Sequence, residues 1–258
     1  VGLAWGSLRL PERNEEALIK SAVSVLVFAK LPVPGRVKTR LVGEVAGRRL
    51  GPEETAELYS GFLRDYARRM AAGELGADPC FCLKPGTDLG AFATLIAPYQ
   101  VRLMPEPSRA GIGARSLGEA LAFSVEADLA RGSSGVILLG SDLPHLPHRV
   151  LAQAGQALER AALVLGNDGG GCYLIAASEP APVLEEADLP WSQGRDFAEL
   201  VRRQEAAGRS VEVLPERFED VDRPADLEAL IEGLRSGAID GEGIPATLAV
   251  LRGWGLEL

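Results

Sequence analysis

Short apolar runs alternate with helical stripes along the chain. Ser24–Ala29 (SVLVFA) is compact, apolar and β-branched, the pattern of a buried strand. Over Pro52–Met70 the residues Leu58, Phe62, Tyr66 and Met70 recur at helical spacing. Pro52 suits the first turn, and Glu53 and Glu54 complement the helix dipole. Pro79–Leu83 and Val101–Met104 read as strands, Leu117–Leu129 as a helix and Gly135–Gly140 (GVILLG) as a central strand. A helix is expected over Arg149–Arg160 and strands over Leu163–Gly166 and Cys172–Ala177. A helix over Asp196–Ala207, a strand over Val211–Leu214 and a helix over Pro224–Leu234 complete the series. Apolar strands alternating with helices predict an α/β chain, three layers deep, around a mainly parallel sheet.

No low-complexity linker and no internal repeat divides the sequence, so residues 23–235 are expected to form one domain. Residues 1–22 read as an added helical arm. Residues 236–258 are Gly-rich and then offer a short helix around Ala246–Leu251, a tail expected to pack on the domain. Open parallel sheets bind ligands outside the carboxyl ends of their strands. The segments of interest therefore begin where strands stop.

Composition narrows the partners. The 258 residues are 47% hydrophobic, enough for one well-buried core, and carry a formal net charge of −9. Such acidity disfavours nucleic acid as a general partner and requires any anionic ligand to find a local basic site. No run of 18 or more apolar residues exists, so no membrane span is expected. Residues 1–22 lack the basic start, apolar centre and cleavage site of a signal peptide, and a cytoplasmic location is expected. Cys80 and Cys82 lie two apart in a strand-like run and, with Cys172, read as buried thiols of a reducing compartment. Oligomeric state is not fixed by the sequence.

The basic site follows the first strand. Lys30-Leu-Pro-Val-Pro-Gly-Arg-Val-Lys-Thr-Arg40 holds Lys30, Arg36, Lys38 and Arg40 and no acid. Pro32 and Pro34 stiffen the turn, and Gly35 lets the backbone approach a ligand. Planar guanidinium forks beside ammonium point charges suit a polyphosphate. The segment is not a Walker loop, because Val37 precedes Lys38 and the Gly spacing is absent.

Three further segments bear candidate chemistry. Asp142 stands just past Gly135–Gly140, where a carboxylate can hold Mg²⁺ beside phosphates; capping the helix before Pro144 is its alternative role. His145 and His148, the two histidines of the chain, lie beside it; placement at a helix start is their ordinary use and hard Mg²⁺ needs no imidazole, so a direct chemical role, mainly for His145, is the lesser alternative. In Phe218-Glu-Asp-Val-Asp-Arg-Pro-Ala-Asp-Leu, Asp220 and Asp222 share a face if extended, and one of them could supply a second carboxylate. Asp226 suits the first turn of the following helix. Gly166–Gly171 is a backbone-exposing turn, able to approach a sugar or base or simply to connect two strands.

F-A-K-x-P-V-P-G-R-V-K-T-R-L over residues 28–41 resembles the opening signature of the selenodomain-associated transferase 1 family, a glycosyltransferase-like branch of the GT-A superfamily. Its K-T-R-L is also similar to that of 2-phospholactate guanylyltransferases. The resemblance spans roughly residues 23–235 and implies a GT-A, Rossmann-like fold with a mainly parallel mixed sheet. It further implies nucleotide binding by Lys30, Pro34, Gly35, Arg36, Lys38, Thr39, Arg40 and Gly118. Catalytic roles fall to Lys38, Arg40 and Asp142, and an Mg²⁺ or Mn²⁺ ion to Asp142 and Asp222. Acceptor contacts fall to Asp168, Gly170, Gly171, Tyr173 and Trp191. The chain departs from the family in the half that holds the acceptor. D-L-G-x-R becomes Ser116-Leu-Gly-Glu-Ala120, with Arg115 one position away. D-G-G-Y-Y-L becomes Gly169-Gly-Gly-Cys-Tyr173, with Asp168 adjacent.

The expected function is Mg²⁺-dependent nucleotidyl transfer from a nucleoside triphosphate to a small phosphorylated acceptor. The alternatives are glycosyl transfer from a nucleotide-diphospho-sugar and a degenerate nucleotide-binding protein without catalysis. The expected partners are a nucleotide or nucleotide sugar and a small-molecule acceptor.

Overall fold

The computed structural model describes residues 23–258 apart from positions 77 and 110; the helical arm expected over residues 1–22 lies outside them. Strand β1 (Val23–Ala29) is the centre of the sheet. It pairs in parallel with β8 (Gly135–Gly140) on one side and with β4 (Cys80–Leu83) on the other, and β4 pairs in parallel with β5 (Arg102–Pro105). Beyond β8 lies β10 (Cys172–Ala177), the antiparallel member, then β9 (Leu163–Asn167) and β11 (Val211–Val213). The order across the 7-stranded sheet is β11-β9-β10-β8-β1-β4-β5. Each strand of this sheet coincides, within a residue or two, with an apolar run read from the sequence.

Alternation along the strands makes the three layers. Val25, Val27 and Ala29 of β1 join one apolar cluster, and Leu26 joins the other. The first cluster takes Phe62 of α1 (Pro52–Ala71), Phe92 of α2 (Leu89–Ile96) and Val150 of α4 (His148–Ala157). It also takes Leu227 of α6 (Pro224–Ser236) and Leu251 of α7 (Pro245–Gly253). The opposite cluster takes Val125 of α3 (Leu117–Ala130) and Leu200 of α5 (Asp196–Ala206). The helix expected over Arg149–Arg160 stops at Ala157, because Glu159 and Arg160 tighten into i→i+3 bonds that turn the chain into β9. Two short hairpins escaped the periodicity: β2 (Gly43–Val45) with β3 (Arg48–Leu50), and β6 (Ser108–Arg109) with β7 (Ile112–Gly113).

Helix α1 has a second role besides filling the core. Its buried Asp65 accepts from the backbone N–H groups of Ala246 and Thr247, both at 2.8 Å, and from the Thr247 hydroxyl at 2.5 Å. The carboxylate thus caps the N-terminus of α7, where free N–H groups and the helix dipole favour negative charge. Gly61, one turn earlier, lets the two helices touch: a Cβ there would lie 3.1 Å from Thr247 Cα.

Candidate functional site

The carboxyl ends of β1, β4 and β8 open into one cleft of about 820 Å³. Its floor is fixed from beneath by α1. Tyr66 donates to the carbonyls of Gly140 and Leu143 at 3.2 and 2.8 Å, and the buried Arg69 donates to those of Pro144 and Leu146 at 3.1 and 2.7 Å. Tyr59 accepts from Lys30 N–H at 3.2 Å and shares a 2.6 Å hydrogen bond with the Ser141 hydroxyl, tying β1 and β8 together at their ends. Burial, aided by the Asp142 charge, pushes the Tyr59 phenol well above its ordinary range, so it acts here as a neutral hydrogen-bonding group. The backbone N–H of Val221 donates to the Asp142 carbonyl at 3.0 Å, which locks the late acidic segment onto the loop after β8.

Lys38 lies at the focus of this frame. Its Nζ is 2.6 Å from Asp142 Oδ1 and 2.9 Å from Asp222 Oδ1, and it donates to the Val221 carbonyl at 2.7 Å. The lysine side chain is 3% exposed, whereas those of Asp142 and Asp222 are 33% and 40% exposed. Burial pulls the Lys38 ammonium toward neutrality, but the charges of Asp142 and Asp222 outweigh it and raise its pKa above the ordinary value. The backbone of Lys38 is left-handed, with φ 47°, a conformation a non-glycine residue keeps only when its surroundings over-determine it. The sequence placed Lys38 among free phosphate-binding cations. In the structure it bridges the two carboxylates expected to hold the metal.

The remaining cations are open to the cleft. Lys30, Arg36 and Arg40 line it with Thr39, and Lys84, which follows β4, joins them. Pro34 and Gly35 form the exposed outer turn and do not line the cleft; Gly35 supplies its positive φ of 73°. Gly118 also stays outside the lining. It is buried in α3, where a Cβ would collide with the Leu184 carbonyl and the Trp191 indole, so it serves packing.

The opposite end is acidic. Asp168, Gly170, Gly171, Tyr173 and Trp191 line it, as do Asp196 and Asp220. Asp168 Oδ1 accepts from Gly170 and Gly171 N–H at 3.1 and 2.6 Å and so organises the β9–β10 turn. The β9–β10 pairing shifts register between Cys172 and Leu174, which seats the turn. Tyr173 is buried against Phe218, and its hydroxyl donates to the Glu216 carbonyl at 3.1 Å, so it shapes the wall with its ring. Burial, with help from the Asp142 charge, pushes the Asp220 carboxyl up to about 7.

The departures from the family pattern have local explanations. Ser116 caps α3, its hydroxyl accepting from Glu119 N–H at 3.1 Å, and Ala120 is a core residue. Gly169 has φ 115°, a backbone conformation that strains an Asp side chain there. Arg115 is not among the residues that line the cleft and pairs with Glu119 at 2.7 Å. His145 lies outside the lining too. Burial, reinforced by the Arg69 charge, pushes it down to about 4, so its imidazole is neutral near pH 7. Cys80 and Cys82 are buried and free.

Sequence reading missed Tyr59, Lys84 and Asp196 and passed over Asp220 in favour of Asp222. The alternation of Asp220 and Asp222 was a usable signal, since both reach the cleft. Tyr59 carried none: it falls within the apolar stripe of α1 and reads as core. Asp196 opens α5 and reads as a dipole-stabilising residue.

Residues 69–193, somewhat under half of the chain, match the family model described as "Uncharacterized protein conserved in bacteria (DUF2064)". No protein of curated function matches. A protein of Desulfovibrio desulfuricans G20, provisionally assigned as a nucleotide-diphospho-sugar transferase, is similar in structure. It shares 28% identity over 90% of this chain and 94% of its own, with a TM-score of 0.74. A cytidylyltransferase of Leptospira borgpetersenii serovar Hardjo-bovis, 11% identical over 91% of this chain and 96% of its own, shares the fold with a TM-score of 0.51. These findings bear out the α/β fold and the resemblance to nucleotide-diphospho-sugar transferases carried by residues 28–41. Among the described residues no helix is long and apolar enough to cross a membrane.

Proposed function

We propose that the chain is a nucleotide-dependent transferase and that it catalyses nucleotidyl transfer from a nucleoside triphosphate. One observation carries the reading. In a net-acidic molecule, Lys30, Arg36, Arg40 and Lys84 converge on a single cleft at the carboxyl ends of parallel strands, beside Asp142 and Asp222. Cations so gathered suit a ligand with several phosphate charges. The guanidinium forks of Arg36 and Arg40 would take phosphate oxygens in pairs, and Lys30 and Lys84 would act as point charges.

The resemblance implies Mg²⁺ or Mn²⁺, and the donor set fits one. Asp142 and Asp222 present hard carboxylate oxygens that already converge on one cation, the Lys38 ammonium, at 2.6 and 2.9 Å. Among the described residues no group of three or more His, Cys, Asp or Glu could hold a metal ion, so substrate phosphates would complete the coordination, as is usual for Mg²⁺. Such an ion would neutralise charge on the departing phosphates. The chain itself holds Asp142 in place through Tyr66, Arg69 and the Val221 N–H, holds the phosphate chain on the basic loop, and needs no protein nucleophile.

A second reading is glycosyl transfer from a nucleotide-diphospho-sugar. The Desulfovibrio desulfuricans protein, similar over 90% of this chain, favours it. Incubation with Mg²⁺, nucleoside triphosphates and nucleotide sugars separates the two: pyrophosphate release supports the first, and nucleoside diphosphate release the second. Binding without turnover across many acceptors supports the non-catalytic alternative. Arg36→Ala and Arg40→Ala should each weaken nucleotide affinity by about 1.5–3 kcal/mol through loss of a charge-assisted bond. Both side chains lie at exposed positions, so stability should hardly change. Unaltered affinity in both variants would remove the basic loop from the site.

A further inference from the structure

Strand register lays four charges of the cleft in a row. Phe28 of β1 pairs with Gly140 of β8, Ala29 of β1 with Leu83 of β4, and Leu83 with Pro105 of β5. Continued past the strand ends, the same register gives Asp142, Lys30, Lys84 and Glu106, and all four line the cleft. Neighbouring strands lie about 4.8 Å apart, so the row runs roughly 14 Å from its Asp142 end to its Glu106 end. One end is the carboxylate beside Lys38, the middle is cationic, and the far end is acidic again.

Glu106 is out of keeping with a phosphate site. Among the described residues that line the cleft, it is the one acid contributed by the chain before β8. Its backbone is held firmly. Pro105 and Pro107 fix φ on either side, and the Glu106 N–H donates to the Leu83 carbonyl at 2.7 Å, extending the β4–β5 ladder. Its carboxyl, half-buried, forms no hydrogen bond and no ion pair among the described residues. Burial raises the pKa of this carboxyl, and the charges of Lys84 and Lys30 oppose the rise without closing on it. Two free acceptor oxygens on rigid backbone repel a phosphate and call for a ligand that donates. Leu117, which opens α3 at the end of the connection from β5, lines the same cleft with an exposed apolar side chain suited to the face of a ring.

Resting on the transferase reading, we propose that Glu106 selects the base of the nucleotide and that this base is guanine. The phosphates lie over Lys30 and Lys84 toward Asp142, and the base reaches the β5 end of the row. There the two oxygens of Glu106 accept from the ring N–H and the exocyclic amino group on one edge of guanine. Guanine alone among the four common bases sets two donors side by side on that edge, the match for an acceptor-only carboxylate. Adenine and cytosine place a ring acceptor beside their amino group, and uracil flanks its N–H with two carbonyls. Each of these would aim a lone pair at Glu106.

The test is calorimetric titration of the guanosine, adenosine, cytidine and uridine triphosphates, each with Mg²⁺, into the full chain and into Glu106→Gln. The guanosine compound is expected to bind about tenfold or more tightly than the other three. A carboxamide offers one donor and one acceptor, so Glu106→Gln should weaken the guanosine compound about tenfold and leave the adenosine and cytidine compounds no weaker. Guanosine and uridine diphosphates should show the same preference, whichever group the chain transfers. Glu106→Gln should unfold at the wild-type temperature, since the carboxyl has no partner in the fold. The proposal is overturned if the wild type binds the four triphosphates alike or prefers another base. It is equally overturned if Glu106→Gln shifts all four by one factor. Uniform weakening would assign the carboxylate to the ribose hydroxyls, and uniform tightening to bulk repulsion of phosphate. If no nucleotide binds, the transferase reading itself falls, whereas tight binding without base preference removes only the role of Glu106.

Discussion

Replacing Lys38 by methionine tests the arrangement at the centre of the site. Methionine keeps most of the length and removes the ammonium that lies 2.6 Å from Asp142 and 2.9 Å from Asp222. Two carboxylates that converged on one cation then face each other about 5 Å apart, a repulsion of roughly 3 kcal/mol at an effective dielectric near 20. The Val221 carbonyl loses its donor as well. Breaking a fully buried pair costs about 3–5 kcal/mol, but these carboxylates are 33% and 40% exposed and regain hydration, so about 2–3 kcal/mol is the expected loss. Urea unfolding at neutral pH measures it. Millimolar Mn²⁺ should recover part of the loss in Lys38→Met by taking the place of the ammonium between the two carboxylates. The wild-type contribution also has a pH signature. Its pKa in the fold is raised above the ordinary 10.5, so the stabilisation is whole below pH 10.5 and is lost as pH rises through the higher native value. A Lys38→Met variant within about 0.5 kcal/mol of wild type, indifferent to Mn²⁺, would refute the cluster.

Asp65→Ala should destabilise by about 2–4 kcal/mol, since three donors lose a buried charged acceptor. Limited proteolysis should then cut first near residues 237–244, ahead of α7. His145, pushed down to about 4 from 6.5, takes up its proton in the unfolded chain first, so the stability it confers is present above pH 6.5 and is lost as pH falls toward 4. His145→Gln should flatten the stability profile across that window, by at most about 3 kcal/mol, as followed by thermal unfolding at stepped pH.

The sheet was legible because its strands are short apolar runs bounded by Gly, Pro and charge, and such runs have few other uses in a chain this acidic. The basic loop was legible for a similar reason, as a concentration of one charge sign on a stiff turn. Partnership inside the site was not. Nothing in the spacing of Lys38, Asp142 and Asp222 says that the lysine turns toward the acids while Arg36 and Arg40 remain open, since that follows from the left-handed backbone at Lys38 and from tertiary closure over more than a hundred residues. Asp196 was hidden because an acid at the first position of a helix has an ordinary dipole role. Gly118 misled in the other direction: a glycine inside a family motif served helix packing rather than ligand approach.

Helix α1 is a bearing wall shared by two rooms. On one side Tyr59, Tyr66 and Arg69 set the height of the Asp142 loop; on the other Gly61 and Asp65 seat the final helix. Residues that never approach the cleft are thereby bound to its upkeep. Relatives that exchange the C-terminal helix for another terminus are free to do so only if positions 61 and 65 change with it, while the two tyrosines and the arginine stay.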